Sequence, residues 1–426
     1  MASKNKVALV LSYQYPGKYA LTVLAGAVEA DAVGQDVALR FPRDRESLLA
    51  AVRECHDAGY RVVVAWSFYS ASFPGAVEEL AWLRERLEGR EVLCIAGGVH
   101  ATAETEQTLR GGFDLVAVGE GEPVLLELLG RLVRGEDPKQ TRGMSRLADG
   151  KLVSQGRGEG VVLDTYPPFA ARHRMFGAIE ITRGCIYACR FCQTPFLNKA
   201  RFRHRSVENI ARWTRVLREA GKRDVRFITP TSMSYGTADE SVNLEALERM
   251  LAAVREAMSP GGRVFYGTFP SEVRPEHVTP EALALLKRYV DNDNLIIGGQ
   301  SGSERILQAS HRGHDVETVV RAASLAVEAG FVPNVDFILG LPGEAPEDVR
   351  ATLTLMRRLS ELGAKVHGHT FMPLPGTPYR DAPPGSVDEE TQKELDRLAS
   401  QGRLYGHWKQ QVALANGIAA RRQPRR

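Results

Sequence analysis

Short apolar segments alternate with amphipathic ones along most of this 426-residue chain, and this alternation limits the fold more than any other feature. Between residues 5 and 135, five segments have the length and composition of buried parallel strands: KVALVLSY, DVALRFP, RVVVAWSF, EVLCIAGG and DLVAVGEG. The stretches between them carry apolar residues at three- and four-residue spacing, as amphipathic helices do. This order predicts an α/β fold that begins with a doubly wound parallel sheet of the Rossmann-like kind, over residues 1–135.

The alternation stops and then resumes. Residues 136–175 are rich in glycine, proline and charge without a clear period, and we predict a linker that contains a small hairpin. Six further strand candidates, from AIEITRG to KVHGHTFMP, predict a partial (β/α)6 barrel of the TIM type over residues 176–380. Residues 381–426 have an amphipathic pattern and predict a helical C-terminal extension. In both the sheet and the barrel, ligands should lie at the carboxyl ends of the strands.

Composition argues against several classes of function. The net charge is only +3, so charge alone indicates no nucleic-acid partner. No run of about 18 apolar residues is present, so we expect no membrane-spanning helix. Tyr13, Gln14 and Pro16 interrupt the first apolar segment, which is therefore interpreted as a strand and not as a targeting signal. Three of the five cysteines are clustered, which does not suit a disulfide framework and predicts a reducing, cytoplasmic location.

Cys185, Cys189 and Cys192 form a C-x3-C-x2-C pattern directly after the first predicted barrel strand. A tetrahedral zinc site needs a fourth ligand, which His173 or His204 could supply. A four-iron cluster held by only three thiolates instead leaves one iron open to a substrate or cofactor. Three unrelated buried thiols would be a third explanation, and this spacing argues against it.

The cysteine pattern, with Phe191 before the last cysteine, resembles that of the radical S-adenosylmethionine (SAM) superfamily. This resemblance implies a [4Fe-4S] cluster on Cys185, Cys189 and Cys192, with SAM chelating the open iron through its amino and carboxylate groups. Reductive cleavage of SAM to a 5′-deoxyadenosyl radical is then expected. The resemblance also implies an electron donor such as flavodoxin or ferredoxin.

Two later segments, IIGGQSGSERIL and DFILGLPGE, resemble the SAM-contacting strand ends of that superfamily. The resemblance implies that Gln300, Ser301 and Ser303 bind the methionine carboxylate or the ribose. It also implies that Gly340 and Gly343 let the backbone approach the nucleoside. The alternative is that both segments are ordinary glycine-rich turns.

One position departs from the superfamily pattern. The usual Gly-Gly-Glu after the second barrel strand is replaced here by TPTSMSYG. Thr229, Thr231 or Ser232 is therefore our prediction for the contact with the SAM amino group.

The sheet of residues 1–135 resembles the cobalamin-binding domain that precedes the barrel in one branch of the superfamily. The segments VVVAWSFYSAS, IAGGVHATAE and DLVAVGEGEP carry this resemblance. It implies that cobalamin lies against strand ends formed by Ser67, Ser70, Gly97, Gly98, Gly119, Glu120, Gly121 and Glu122. The alternative is a degenerate domain that serves only for docking.

Features of this domain also predict how cobalamin would be held. The D-x-H-x-x-G motif is absent and YQYPGKY fills the first loop, so no histidine there can ligate cobalt from below. We expect His100 to be a hydrogen-bonding residue and not an axial ligand. Cys94, in the middle of a strand, and Cys55, on a helix face, are expected to lie in the core.

Together the two resemblances imply a cobalamin-dependent methyltransferase that moves a methyl group from SAM to an unactivated carbon or a phosphinate centre. The substrate would be a small molecule or a peptide, and a membrane or nucleic-acid partner is not expected. GGQSGS and RGH (312–314) also resemble methylthiotransferases that act on tRNA or protein. Their second cysteine-bound cluster and C-terminal β-barrel have no counterpart in the sequence. The same motifs are also compatible with a radical cyclase or rearrangement enzyme that uses cobalamin without methyl transfer. The intact cysteine triplet argues against a fourth alternative, a non-catalytic cobalamin carrier or sensor.

Overall fold

The computed structural model describes residues 5–421 and divides into two compact units, Met1–Gly177 and Ala178–Arg426. Among the described residues, no helix is long and apolar enough to cross a membrane.

The first unit is built from alternating strands and helices. Its strands are β1 (Val7–Leu11), β2 (Val37–Arg40), β3 (Arg61–Ser67), β4 (Val92–Gly97), β5 (Leu115–Ala117), β6 (Met144–Ala148) and β7 (Lys151–Ser154). Its helices are α1 (Lys18–Ala30), α2 (Arg45–Asp57), α3 (Phe73–Glu85), α4 (Val99–Ala103), α5 (Thr105–Arg110) and α6 (Gly121–Arg134). Short 3₁₀ turns occur at Ala32–Gln35, Pro138–Gln140 and Leu163–Thr165.

These strands form one seven-stranded sheet in the order β2-β1-β3-β4-β5-β6-β7. The first five strands are parallel, which confirms the predicted doubly wound sheet. Apolar clusters cover both faces, one with residues of α1 and α6 and the other with residues of α2 and α3. The strand order reverses between β1 and β3, so the carboxyl ends of these two strands flank the crevice where such sheets bind ligands.

The segment expected as a linker is part of this unit. The predicted hairpin is present as β6 and β7, and it extends the sheet in the antiparallel sense from β5. Asp149 and Gly150, both with positive φ, form its two-residue turn, as hairpin turns of this kind require. Met144 is buried, so the hairpin covers the β5 edge and does not simply connect two domains.

The second unit contains nine strands and nine helices within the described residues. The strands are β8 (Ile179–Glu180), β9 (Thr182–Arg183), β10 (Arg203–His204), β11 (Asp224–Ile228), β12 (Arg263–Phe265), β13 (Asn294–Gln300), β14 (Val332–Leu339), β15 (Lys365–Thr370) and β16 (Leu404–Gly406). The helices are α7 (Thr194–Leu197), α8 (Val207–Glu219), α9 (Leu244–Met258), α10 (Pro280–Tyr289), α11 (Glu304–Ala309), α12 (Val316–Glu328), α13 (Pro346–Glu361), α14 (Glu389–Ser400) and α15 (Trp408–Ala420). Short 3₁₀ turns occur at Ser232–Ser234 and Pro275–His277.

The six predicted barrel strands are all present and parallel. They form the rows β8-β11-β12 and β13-β14-β15, and a bridge between Val273 and Ile297 connects the two rows. The C-terminal extension is not purely helical, because β16 lies between α14 and α15 and pairs in parallel with β15. Leu404 is buried, and the missing side chain of Gly406 admits the Gly368 backbone, which accounts for this seventh strand.

The second row has two distinct faces. Val335 and Phe337 are fully buried on the face where α12 packs against β14. Gly298, Asp336, His367 and Tyr405 are aligned in register across β13, β14, β15 and β16 on the opposite face. A Cβ atom on Gly298 would meet the side chains of Arg312 and Glu272, so those groups lie on this second face. We call it the inner face of the barrel.

Candidate functional site

The three clustered cysteines occupy the loop after β9. All three are free thiols, and Cys185 and Cys189 are buried in a small apolar cluster that includes Tyr187 and that Cys192 contacts. The loop begins at Gly184, whose φ is positive and where a Cβ would lie 2.2 Å from the Arg201 carbonyl oxygen. Only glycine fits there. The backbone therefore brings the three thiols together as the spacing predicted.

Two guanidinium groups point at one of these sulfur atoms. Arg312 Nη1 lies 3.4 Å from Cys189 Sγ, and Arg274 Nη1 lies 3.9 Å from it. Arg312 also donates from Nη2 to the Gly298 carbonyl oxygen at 2.7 Å, which holds it on the inner face. Both arginines are buried. Two buried cations beside a sulfur atom can offset the negative charge that a metal-bound thiolate carries.

A second set of contacts holds Arg274. Its guanidinium carbon lies 3.6 Å from the Tyr187 ring centroid, and the Tyr187 hydroxyl lies 3.0 Å from His277 Nε2. Arg274 also donates to the Glu276 carboxylate. The sequence did not predict this network. The sequence carries only a weak indication of it, because arginine and glutamate residues in a loop are usually exposed to solvent.

The pKa values of the Cys185 and Cys192 thiols indicate which chemistry these two groups suit. Burial raises the pKa of the Cys185 thiol to about 12, and burial also raises the pKa of Cys192. Buried thiols with raised pKa values are poor nucleophiles at neutral pH. They lose their protons when a metal binds, so the donor set suits a metal centre better than nucleophilic catalysis.

Of the two candidates for a fourth zinc ligand, His204 is already engaged by other groups. His204 uses both ring nitrogens: Nδ1 lies 2.9 Å from Thr182 Oγ1 and Nε2 lies 2.7 Å from the Thr237 carbonyl oxygen. His173 belongs to the first unit, where its Nδ1 lies 2.6 Å from the Glu29 carboxylate. Three thiols remain, as a cluster with one open iron requires.

The end of β11 carries the residues predicted to contact the SAM amino group. Thr229 donates its hydroxyl to the Thr231 carbonyl oxygen at 3.0 Å. The hydroxyls of Thr231 and Ser232 are buried and have no hydrogen-bond partner among the described residues. Buried polar groups are seldom left unpaired, and each such group needs an explanation, of which a missing ligand is one. These two hydroxyls therefore fit a site for a polar ligand.

The end of β13 is arranged differently. Gln300 has a positive φ of 72° next to a register shift, and its side chain amide lies against Gly298. Ser303 donates its hydroxyl to Asp348 Oδ1 at 2.5 Å and caps α11. Ser301 Oγ lies 3.3 Å from Thr352 Oγ1 and accepts from the Ser303 amide. Both serine hydroxyls thus already have protein partners.

The two glycines predicted to face the nucleoside also differ. A Cβ on Gly340 would lie 2.7 Å from Gly385 and Ser386, so this glycine makes room for the chain itself. Gly343 has a positive φ and open space around its Cβ position. Only Gly343 offers free space for the approach of another molecule.

In the first unit, the predicted cobalamin residues surround the ends of β3 and β4. Ser70 Oγ lies 3.0 Å from His100 Nδ1, and the His100 ring stacks on Phe73, so His100 is a hydrogen-bonding residue as expected. A Cβ on Gly98 would lie 2.8 Å from Ser67 Oγ, whereas the Gly97 position has only one atom within 4 Å, at 3.8 Å. The strand ends are therefore tightly packed at Gly98 and open at Gly97.

The end of β5 holds the remaining predicted residues. Gly119 has a positive φ and donates its amide to Thr102 Oγ1 at 3.1 Å. The Glu120 carboxylate accepts from the Val161 amide at 2.9 Å, Gly121 begins α6, and Glu122 is buried. Cys55 and Cys94 lie in the apolar core, as expected.

The chain has relatives among known proteins. Residues 179–356 match the family model described as the Radical SAM superfamily. The chain is 25% identical to an uncharacterized protein of Methanopyrus kandleri, covering 68% of this chain and 62% of the relative. It is 27% identical to a tRNA-2-methylthio-N(6)-dimethylallyladenosine synthase of Rickettsia rickettsii, covering 71% and 65%. The chain thus spans less than two thirds of the length of these two curated relatives.

Two solved structures share its fold. The methyltransferase TsrM from Kitasatospora setae, with cobalamin and a [4Fe-4S] cluster bound, matches with a TM-score of 0.69 and 18% identity, covering 89% of this chain and 78% of TsrM. The cobalamin-dependent SAM radical enzyme OxsB matches with a TM-score of 0.67 and 16% identity, covering 96% of this chain and 56% of OxsB. The chain therefore contains a region that matches the Radical SAM superfamily model, and it shares the fold of these two solved structures.

Proposed function

We propose that this protein is a cobalamin-dependent radical SAM methyltransferase that methylates an unactivated carbon or a phosphinate centre. One observation carries the proposal: an intact three-thiol site, flanked by two buried arginines, occurs in a chain that matches TsrM over 89% of its length. The substrate proposed is a small molecule or a peptide. An external reductant such as flavodoxin or ferredoxin would supply the electron.

The residues of the second unit fit a [4Fe-4S] cluster and SAM. Cys185, Cys189 and Cys192 would bind three irons, and the guanidinium groups of Arg274 and Arg312 would offset the negative charge of the thiolates. The unpaired hydroxyls of Thr231 and Ser232 would receive the amino group of SAM. When bound, the cluster and SAM supply a deoxyadenosyl radical, and cobalamin supplies a methyl group to the carbon radical that results.

The first unit fits cobalamin at the crevice between β1 and β3. Tyr15 and Tyr69 lie beyond these two strand ends and are exposed by 72% and 50%, which leaves aromatic surface for a corrin ring. Residues 12–18 contain no histidine. Cobalamin would therefore be bound base-off without a histidine ligand from that loop.

A second candidate, suggested by the 27% identity to the Rickettsia enzyme, is methylthiotransfer. The structure offers little support for a second cluster in the first unit, because its two cysteines are buried within the apolar core. We therefore favour methyl transfer.

The test uses SAM labelled on its methyl group, the cluster- and cobalamin-loaded protein, and candidate substrates under anaerobic, reducing conditions. Mass spectrometry follows the label and both nucleosides. Methyl transfer predicts a labelled methyl group on the product, with S-adenosylhomocysteine and 5′-deoxyadenosine in similar amounts. A methylthio increment would identify a methylthiotransferase, and deoxyadenosine without transferred methyl would identify a rearrangement enzyme or cyclase. Formation of neither nucleoside, with cobalamin bound and a true substrate supplied, would leave only the carrier.

A matched set of variants separates the cluster from the remaining cysteines. Replacing Cys185, Cys189 and Cys192 together by alanine should abolish iron binding, from about four irons per chain to none. The double variant Cys55→Ser, Cys94→Ser should retain the iron. Retention of the cluster in the triple variant would refute the proposed ligands.

A further inference from the structure

Three metal-ligating side chains meet on the inner face of the barrel, away from the cysteine loop in sequence. Asp336 lies on β14, and His367 and His369 lie on β15. Asp336 is paired in register with His367, and His369 lies two residues further along the same face of its strand. All three are partly exposed, so the site is accessible.

The potential ligand atoms are close together. Asp336 Oδ1 lies 2.9 Å from His367 Nδ1, and His367 Nδ1 lies 3.2 Å from His369 Nε2. One ligand atom from each residue lies within 4.8 Å of the other two. Ligands at bond lengths of about 2.1 Å around one metal ion are separated by about 3.0 to 3.4 Å. The first two separations therefore match edges of a coordination polyhedron.

No placement of the ring protons on neutral histidines satisfies all the hydrogen-bond contacts of these side chains. Gln411 Oε1 accepts from the Thr370 amide at 2.8 Å, so Gln411 Nε2 faces His369 Nδ1 at 3.3 Å. An amide nitrogen only donates, which requires the proton of a neutral His369 ring to be on Nε2, next to His367 Nδ1.

His367 Nδ1 then faces conflicting demands. The Asp336 carboxylate needs a proton on this nitrogen, whereas His369 Nε2–H needs a lone pair there. One nitrogen of a neutral ring cannot provide both. A cation resolves the conflict because it accepts lone pairs from the carboxylate and both rings at once.

We propose that Asp336, His367 and His369 bind one divalent transition-metal cation through Oδ1, Nδ1 and Nε2. Two imidazoles and one carboxylate form a donor set used for Fe²⁺ and related ions, and three protein ligands leave positions open for water or an oxygen of a bound molecule. The Tyr405 ring stacks on His367 with centroids 4.4 Å apart and a 10° interplanar angle, which fixes the orientation of His367.

Gln411 gives the proposal a second, independent test. Binding through His369 Nε2 moves the ring proton to Nδ1, which then needs an acceptor. The Gln411 side chain must turn its oxygen toward this proton, at the expense of its bond to Thr370. In Gln411→Glu both terminal atoms of the side chain are oxygens, so the Thr370 amide and the His369 Nδ1–H would each face an acceptor. This variant should bind the metal about tenfold more tightly, because a hydrogen bond to the outer nitrogen of a metal-bound histidine often changes metal affinity by about this factor.

Mn²⁺ is the probe, used on anaerobically reconstituted protein whose cluster is oxidised and therefore silent in electron paramagnetic resonance. The six-line signal of free Mn²⁺ reports binding directly. We expect one Mn²⁺ per chain, displaced by one equivalent of Zn²⁺, because nitrogen ligands bind Zn²⁺ more tightly. This readout requires neither substrate nor turnover, so its failure would leave the proposed methyltransferase function intact.

Variants define the expected pattern. Asp336→Asn and His369→Ala should each weaken Mn²⁺ binding at least about 100-fold. His311→Asn is the matched control, because His311 is exposed and its left-handed φ of 54° suits asparagine. Far-ultraviolet circular dichroism verifies folding. Absence of stoichiometric Mn²⁺ in the parent protein, or equal binding by the parent and both ligand variants, would overturn the proposal. Weaker binding by Gln411→Glu would overturn the assignment of Nε2 as the ligand atom.

Discussion

The ends of β11 and β13 both carry buried hydroxyl groups, but these hydroxyls differ in what they contact. Ser301 and Ser303, after β13, are bonded to Thr352 and Asp348 of α13. The hydroxyls of Thr231 and Ser232, after β11, have no partner among the described residues. Paired hydroxyls stabilise the fold, whereas buried unpaired ones cost stability. Ser301 and Ser303 therefore help to hold the barrel together, whereas Thr231 and Ser232 are the residues that we propose for ligand binding.

Glu344, after β14, is an intermediate case and should show the largest effect. Its Oε2 accepts from the Gly340 amide at 2.7 Å, while its Oε1 is buried without a partner among the described residues. Burial raises the pKa of Glu344 to about 7 from 4.5. The folded state therefore keeps a proton that the unfolded state loses, so this residue's contribution to stability is lost as pH rises from 4.5 through 7.

Ionisation of Glu344 should lower the free energy of unfolding by at most about 3 kcal/mol. Glu344→Gln cannot ionise and should remove this part of the pH dependence. Denaturant unfolding at pH 5 and pH 8 checks it: the stability of the variant relative to the parent should rise between the two. A difference that is the same at both pH values would show that Glu344 titrates normally.

Ser303→Ala tests the paired side of the comparison. It removes the N-cap of α11 and leaves the Asp348 carboxylate without its 2.5 Å partner. The free energy of unfolding should fall by about 2 kcal/mol. A change below about 0.5 kcal/mol would mean that the serine hydroxyl is available to a ligand after all.

Thr231→Val together with Ser232→Ala tests the unpaired side and should cause the smallest loss of stability, no more than about 0.5 kcal/mol, because neither hydroxyl makes a hydrogen bond that could be lost. If these hydroxyls bind SAM, the dissociation constant for SAM should rise about tenfold, equivalent to about 1.4 kcal/mol. Calorimetry on the reconstituted protein measures it.

Thr214→Val is the control for this pair. Thr214 is also buried, but its hydroxyl donates to Ile210 within α8. The Thr214→Val variant should have a lower free energy of unfolding but an unchanged affinity for SAM. Equal SAM affinity in the Thr231/Ser232 variant and the parent protein would remove these residues from the site.

Much of the fold could be predicted because most of its parallel strands are short apolar runs bounded by turns. The hairpin strand β7 is largely exposed, and β16 has only three residues, so neither stands out by burial pattern. The position of β7 depends on β6 and that of β16 depends on the open edge of β15, and no local pattern reveals either pairing.

The candidate site likewise combines a local feature that the sequence predicts with long-range contacts that it does not. The cysteine triplet is local and was readily predicted from its spacing. The arginines that reach Cys189 lie 85 and 123 residues away in sequence, so only the folded barrel brings them there. Likewise, the sequence could not reveal that Ser301 and Ser303 find partners 51 and 45 residues further along the chain. His367 and His369 share a face by their spacing, but the register with Asp336 follows from strand order.

The central claim is that the three-cysteine site holds a cluster with one iron open to SAM. Electron paramagnetic resonance of the reduced, reconstituted protein with and without SAM tests this most directly. A three-thiolate cluster whose open iron is chelated by SAM predicts a shift in the g values of the signal when SAM is added. A reduced-cluster signal that stays the same at saturating SAM would contradict the account.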